Sequence, residues 1–330
     1  MRDPVEAYRN YETRPRPTND LADHPAVKGF EPDKDLLASE LLERMGSIGF
    51  QASHLANALE VIKAMRREKA LVFLAYTGNL VTSGLRDVIR YLVQHKYVDV
   101  LVTNAGGIEE DVIKCFKPFK LGSFNVPGKV LHEQGIHRTG NIFIPTDRYT
   151  EFDKFIQPFF DRMFPARNGI TVHEMLKELG LFLNHDESIL TWAARNDIPV
   201  FCPAINDGAF GDMLYFRTHG NKEISLDIAW ENKKIIDLAL NAERTGAIVL
   251  GSGVAKHYAL NSNILREGLD YAVFINTAQE FDGSDSGARP DEAVTWQKIK
   301  PNGMSVKVWC DATIAFPLLV SAWMAWERAR

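Results

Sequence analysis

Hydrophobic positions change rhythm along the chain. In "DKDLLASELLERM" (33–45) and "QASHLANALEVIKAMRRE" (51–68), Leu, Met, Ile and Ala recur at helical spacing, which predicts two helices, the second capped by Ser53. Six short runs of apolar, β-branched and aromatic residues then alternate with helical stretches: "ALVFLAYT" (70–77), "VDVLVT" (98–103), "PVFCPA" (199–204), "AIVLG" (247–251), "YAVFINT" (271–277) and "VKVWCDA" (306–312). Alternation of this kind is the signature of βαβ units. The runs are nearly continuous in apolar residues, so the strands are expected to be covered by helices on both faces. The expected fold is therefore α/β, a Rossmann-like parallel sheet with helices on both faces.

Before the first helix, residues 1–34 are rich in Pro, Arg, Asn and Asp and form an N-terminal helical arm, with "DPVEAYRNYE" (3–12) as its helix and "RPRPTND" unable to propagate one. Residues 35–330 then make a single α/β domain, interrupted between Val112 and Asp197 by an insertion of loops and helices. The apolar run "ATIAFPLLVSAWMAW" contains Pro317 and falls short of the about 20 residues that span a bilayer, so it reads as a buried terminal helix.

Each strand-like run is followed by Gly, Asn, Asp or Ser: "GNLVTSG", "NAGG", "INDGAFGD", "GSGVAKH", "AQEFDGSDSG" and "DAT". Ligands bind at the carboxyl ends of the strands in open α/β sheets, so a dinucleotide or similar ligand is expected along this edge. The G-x-G-x-x-G fingerprint is absent, as are the nucleophile elbow G-x-S-x-G and the phosphate loop. "HEQGIH" (132–137) has the wrong spacing for a zinc helix, and no metal is expected.

Composition narrows the class. The 330 residues carry a formal net charge of −5, which argues against nucleic acid as a partner. Cys115, Cys202 and Cys310 are odd in number and far apart, and "MRDPVEAYRNYETRPRPTND" lacks the basic and apolar regions of a secretory leader. A cytoplasmic protein that binds no membrane is expected. The carboxylates Glu109, Glu110, Asp207, Asp212, Asp285 and Glu292 all lie after strands or in glycine-rich loops. Singly they read as caps or loop solvators, and together they would line one acidic cleft suited to a polycation.

Two residues stay open at this point. His257, in "GSGVAKHYALNSN", is either a satisfied structural histidine or a base at a strand's carboxyl end. In "ARPDEAVTWQKI", Pro290 fits the first helical position, Asp291 and Glu292 the first turn and Lys298 the last, an ordinary placement for the helix dipole. The alternative is a nucleophile whose amine Trp296 holds dry.

The stretches "NTAQEFDGSDSGARPDEAVTWQKI", "YLVQHKYVDVLVTNAGGIEEDVIKC" and "DATIAFPLLV" closely resemble the deoxyhypusine synthase family, over about Gly49 to Trp323. That resemblance implies an NAD-dependent transferase that moves the aminobutyl group of spermidine onto one lysine of the translation initiation factor 5A precursor. Propanediamine leaves, and the butylimine passes through an enzyme lysine, here Lys298. His257 matches the base that takes a proton from spermidine. Asp212, Asp285, Glu292 and Trp296, with Gly283 and Ser284, match the polyamine site, and Glu109 and Glu110 match acids where cofactor and substrate meet. The NAD cradle corresponds to Asn79, Leu80, Val81, Thr82, Ala105, Gly106, Glu110, Asp207, Thr277, Ala278, Asp311 and Ala312.

The family's enzymes are tetramers with sites at dimer interfaces, and some protists pair two diverged paralogues. The chain departs from the family pattern at Gly78 (for serine), Asn104 (for threonine), Ser252 (for glycine), Tyr258 (for histidine) and Gln297 (for glycine). Gly78, Asn104 and Ser252 fall in the cradle and bear on NAD affinity. The competing readings are a homospermidine synthase, a subunit active only beside a paralogue, and a plain NAD dehydrogenase.

Overall fold

The computed structural model describes residues 3–12, 21, 23–33, 35–164, 169–219 and 223–330. "RPRPTND" lies outside them. The arm's helix α1 is Pro4–Glu12, and helices α2 (Ala38–Met45) and α3 (Phe50–Arg67) follow. Ser53 does not cap α3: the helix starts one turn earlier, after Gly49 at φ +98°, and the Ser53 hydroxyl donates to the Phe50 carbonyl at 2.8 Å.

The first half of the main sheet is β1 (Leu71–Tyr76), α4 (Gly78–Thr82), α5 (Leu85–Gln94), β2 (Val100–Val102) and α6 (Ala105–Phe116). The insertion begins after α6 rather than at Val112. It holds β3 (Lys120–Leu121), α7 (Gly128–Glu133), β4 (Ile136–Thr139), β5 (Ile142–Pro145), α8 (Asp147–Met163), α9 (Val172–Leu183) and α10 (Ile189–Asn196). Strands β3, β5 and β4 form an antiparallel sheet of their own, absent from the sequence expectation. The chain returns through β6 (Val200–Phe201), α11 (Ala209–Thr218), α12 (Ile228–Asn241), β7 (Thr245–Leu250), α13 (Gly253–Asn261), β8 (Leu269–Asn276), α14 (Pro290–Thr295), β9 (Ile299–Trp309) and α15 (Ala312–Ala329).

All six expected strands pair in parallel in the order β6-β2-β1-β7-β8-β9. This is the Rossmann order, in which the chain runs outward from β1 one way and from β7 the other, leaving a crevice between them. The continuous apolar runs are explained by alternate residues entering different cores. Val72, Leu74 and Tyr76 of β1 join the large cluster with α3, α5, α6 and α15, whereas Phe73 and Ala75 join a smaller one with α12, α13 and α14. On the smaller side Ala255 and Ala259 face the sheet, so α13 packs close to it.

The outer edge of β9 is covered by α3: the Gln51 side chain accepts from the Trp309 N–H at 2.7 Å, and the His54 ring meets the Lys307 carbonyl at 2.9 Å. Pairing the edge this way removes a template for strand addition. Among the described residues no helix is long and apolar enough to cross a membrane.

Candidate active site

On the smaller side of the sheet, α13 and α14 diverge around a cavity of about 380 Å³ lined by Lys256, His257, Asn261, Asp285, Glu292, Trp296 and Lys298, among others. Lys298 is not in the last helical turn. Helix α14 opens with Pro290 and ends at Thr295, Trp296 is its cap, and Gln297 adopts φ +58°. The Lys298 N–H then donates to the Ala293 carbonyl at 2.9 Å, and the Lys298 carbonyl accepts from the Leu269 N–H at 3.0 Å. The residue is therefore clamped between a helix end and the start of β8, and only 8% of it is exposed.

The Lys298 Nζ lies 4.0 Å from the Asp285 Oδ1 and 6.0 Å from the centre of the Trp296 ring. Trp296 does not keep it dry, because that ring is itself 64% exposed. Instead Trp296 forms a free rim, available to a ligand's methylenes. His257 is exposed on α13, and its Nδ1 is 3.1 Å from the Asn261 side-chain amide one turn on.

Two buried lysines beneath the acidic loop were not foreseen from residue pattern. Lys256 is 1% exposed; its ammonium donates to the Asp285 and Ala288 carbonyls and stands 3.8 Å from the Asp285 Oδ2. Burial pushes its pKa down. Lys307 donates to the Ala278 and Gly287 carbonyls over the Trp309 ring, and burial brings its pKa down to about 8. Charged donors to four loop carbonyls hold residues 278–288 in place. Gly283, Ser284 and Asp285 ride on that loop, and Gly283 takes φ +72°. The Asp285 Oδ2 is buried without a hydrogen bond among the described residues.

The acids do not line one cleft. Glu109, Asp207 and Asp212 border a second cavity, of about 890 Å³, with Tyr149, Asp153 and Phe216, and no residue lines both. Strand order is the reason: these acids follow β2 and β6 at one end of the sheet, while Asp285 and Glu292 follow β8 at the other. Glu109 already has a structural task. Its Oε2 accepts from the Phe210 N–H at 2.7 Å at the start of α11, and burial raises its pKa. Glu110 is buried against the Thr82 hydroxyl, and burial raises its pKa to about 7. Their neighbour Asp111 is purely structural: fully buried, it accepts from Arg86, Ser188 and the first N–H groups of α10.

The candidate cradle follows the carboxyl edge. Asn79, Leu80, Val81 and Thr82 form α4; Ala105 and Gly106 open α6; Thr277 and Ala278 leave β8; and Asp311, followed by Ala312, caps α15 by accepting from the Thr313 N–H at 2.7 Å. Three of the departures, Gly78, Asn104 and Ser252, sit at the crevice. Asn104 accepts from the Gly78 N–H at 2.8 Å, and a Cβ at Gly78 would come within 2.7 Å of the Gly106 carbonyl carbon, so two helix starts meet backbone to backbone. Ser252 leaves the start of α13 uncapped, and the space around Gly253, at φ +68°, is open.

A doubly wound α/β sheet with ligand-sized cavities beside its carboxyl-end loops, one of them holding a buried amine against a carboxylate, places the chain among the Rossmann-like α/β proteins. Residues 40–323 match the family model described as deoxyhypusine synthase. A deoxyhypusine synthase from Senecio vernalis is 46% identical over 92% of this chain and 90% of its own length. One from Candida glabrata is 45% identical over 88% and 87%. A crystal structure from Entamoeba histolytica, described under the same family name, superposes with a TM-score of 0.66 at 28% identity, covering 91% of this chain and 97% of that one. The chain belongs to the deoxyhypusine synthase family.

Proposed function

We propose that the chain transfers the 4-aminobutyl group of spermidine to a specific lysine of the translation initiation factor 5A precursor, using NAD. The observation that carries this reading is the Lys298 amine, buried yet open to a cavity, 4.0 Å from the Asp285 carboxylate and flanked by Glu292, Trp296 and His257. Asp285 and Glu292 are placed to take the ammonium groups of a polyamine, with Trp296 against its methylenes.

In this reading His257 accepts the proton lost when spermidine becomes an imine. A substrate ammonium arriving at Asp285 displaces the Lys298 ammonium from that carboxylate, and the Lys298 proton passes to the propane-1,3-diamine nitrogen as the two amines exchange. The Lys298 nitrogen then adds to the imine carbon, the carbon–nitrogen bond to propane-1,3-diamine breaks, and the four-carbon fragment stays on Lys298 as an imine. The acceptor lysine repeats this exchange and releases Lys298. NAD, when bound, supplies the hydride acceptor for the amine oxidation and returns the hydride at the end.

Support for NAD comes from the crevice between β1 and β7. The uncapped start of α13 at Gly253 and the start of α6 at Ala105 and Gly106 offer N–H groups to a pyrophosphate. The split of the acids into two cavities supports a site completed by a second copy, as in a tetramer with active sites between subunits. Free Cys115, Cys202 and Cys310 suit a reducing cytoplasm. A second reading, a subunit that needs a paralogous partner, rests on Asn104 taking the Gly78 N–H in the cradle. Titrating NAD with and without that partner separates the two, since tight binding by the chain alone removes the need for one.

The test is incubation with labelled spermidine, NAD and the factor 5A precursor, with putrescine as competing acceptor. Label on the precursor's lysine is expected. Label on putrescine alone would indicate a homospermidine synthase, and release of oxidised spermidine without transfer a dehydrogenase.

A further inference from the structure

Lys298 is held from both sides by backbone alone. Its N–H is tied to Ala293 in α14 and its carbonyl to Leu269 at the start of β8. Just before Leu269, Gly268 approaches so closely that a Cβ there would lie 2.7 Å from the Ile299 carbonyl carbon and 2.8 Å from the Lys300 nitrogen. The end of α14 and the start of β9 are thus each held in place, and of the three residues that join them, Trp296, Gln297 and Lys298, one has a left-handed backbone. That residue is Gln297, at φ +58°, whose own N–H bonds the Val294 carbonyl at 3.0 Å. The pair of bonds, from Gln297 to Val294 and from Lys298 to Ala293, is a Schellman closure with the left-handed residue at its centre.

An L-residue with a Cβ is disfavoured in that region, and a β-branched one much more so. The Gln297 side chain is exposed and makes no hydrogen bond among the described residues, so contacts do not explain its presence. We propose that Gln297 is a positioning residue: its left-handed backbone turns the chain so that the Lys298 amine points into the cavity beside Asp285, and its side chain is dispensable. Glu292 and Trp296 lie on the helical side of the turn and keep their places whatever happens at 297. A failed turn therefore removes the nucleophile while leaving the walls of the polyamine pocket intact. The inference rests on Lys298 being the imine carrier, but its geometric half can be read without any turnover.

Four variants of the full assembled protein test it: Gln297→Ala, Gln297→Gly, Gln297→Val and Gln297→Ile. Two readouts are taken: the borohydride-trapped adduct rate at saturating spermidine and NAD, and the labelling of Lys298 by an amine reagent, mapped by mass spectrometry, with neither ligand present. Gln297→Ala should match the wild type in both. Gln297→Gly should also match, with Tm higher by about 2 °C because the left-handed turn is no longer opposed. Gln297→Val and Gln297→Ile should form the adduct at least tenfold more slowly, with KM for spermidine changed less than threefold and Lys298 labelled severalfold faster. Loss of adduct formation in Gln297→Ala would show that the side chain itself acts and would overturn the inference. Wild-type rate and labelling in both β-branched variants would also overturn it. If the wild type forms no adduct but labelling shifts as stated, the positioning holds and the imine reading falls.

Discussion

The two cavities at opposite ends of the sheet differ in what holds their acids. Around Lys298, carboxylates face amines: Asp285 lies between Lys256 and Lys298, and the loop carrying it is tied down by buried ammonium groups. Around Asp212 the lining has three further acids, Glu109, Asp153 and Asp207, and among the described residues no lysine or arginine. The first is a place where charge is balanced and an amine can react. The second is an acidic surface in which Glu109 accepts from the Phe210 N–H and Asp153 from the Gln157 side chain. The two groups of acids in one chain do not meet, which fits the proposal that two copies make each site.

The largest effect that separates the two groups is on chemistry. Lys298→Ala should lower transfer by about 10³-fold or more, since no other group replaces a covalent carrier. Asp212→Ala should act mainly through KM for spermidine, by about 10- to 100-fold. Steady-state kinetics of the two variants check this, and a kcat effect dominating in Asp212→Ala would erase the distinction. Co-expressing Lys298→Ala with Asp212→Ala sharpens it further. If sites are shared between two copies, random pairing leaves about a quarter of the sites with both residues intact. No recovery of activity would place each site within one chain.

A smaller set of effects divides Glu109, Glu110 and Asp111, adjacent in sequence but different in task. Asp111→Ala leaves Arg86 and the start of α10 without their partner, and should cost about 3–5 kcal/mol of stability by chemical denaturation. A loss below about 1 kcal/mol would contradict the structural role given to Asp111.

Glu110 should show the smallest shift, and one that depends on pH. Burial raises its pKa from the usual 4.5 to about 7. Across that window the folded protein keeps a proton that the unfolded chain releases, so its contribution is complete below pH 4.5 and declines as pH rises through 7. Glu110→Gln should therefore flatten the pH dependence and gain stability relative to the wild type at pH 8, by at most about 3 kcal/mol. Parallel pH profiles of denaturation midpoint for the two proteins would contradict it.

Much of the fold was legible because the strands of a doubly covered parallel sheet are continuous apolar runs, and all six were readable for that reason. The sheet of β3, β4 and β5 was not, because its strands are only two to four residues long and mostly exposed or half-buried, with no pattern to betray them. Lys298 was readable as special only through its resemblance to a family. Periodicity placed it in a helix, since nothing about glutamine announces a left-handed turn at 297. Lys256 and Lys307 went unseen because a buried amine becomes intelligible only once the carbonyls of residues 278–288 have folded over it. The division of the acids was hidden as well: each loop's edge follows from the βαβ pattern, but its place along that edge depends on strand order.

The central claim is that Lys298 carries the four-carbon fragment. Incubating the protein with labelled spermidine and NAD, reducing with borohydride and mapping the peptides tests it directly. The account predicts a single labelled lysine, Lys298, in the wild type and no labelled lysine in Lys298→Ala. Label on Lys256 or another lysine, or none on a protein that still transfers the aminobutyl group to its acceptor, would contradict it.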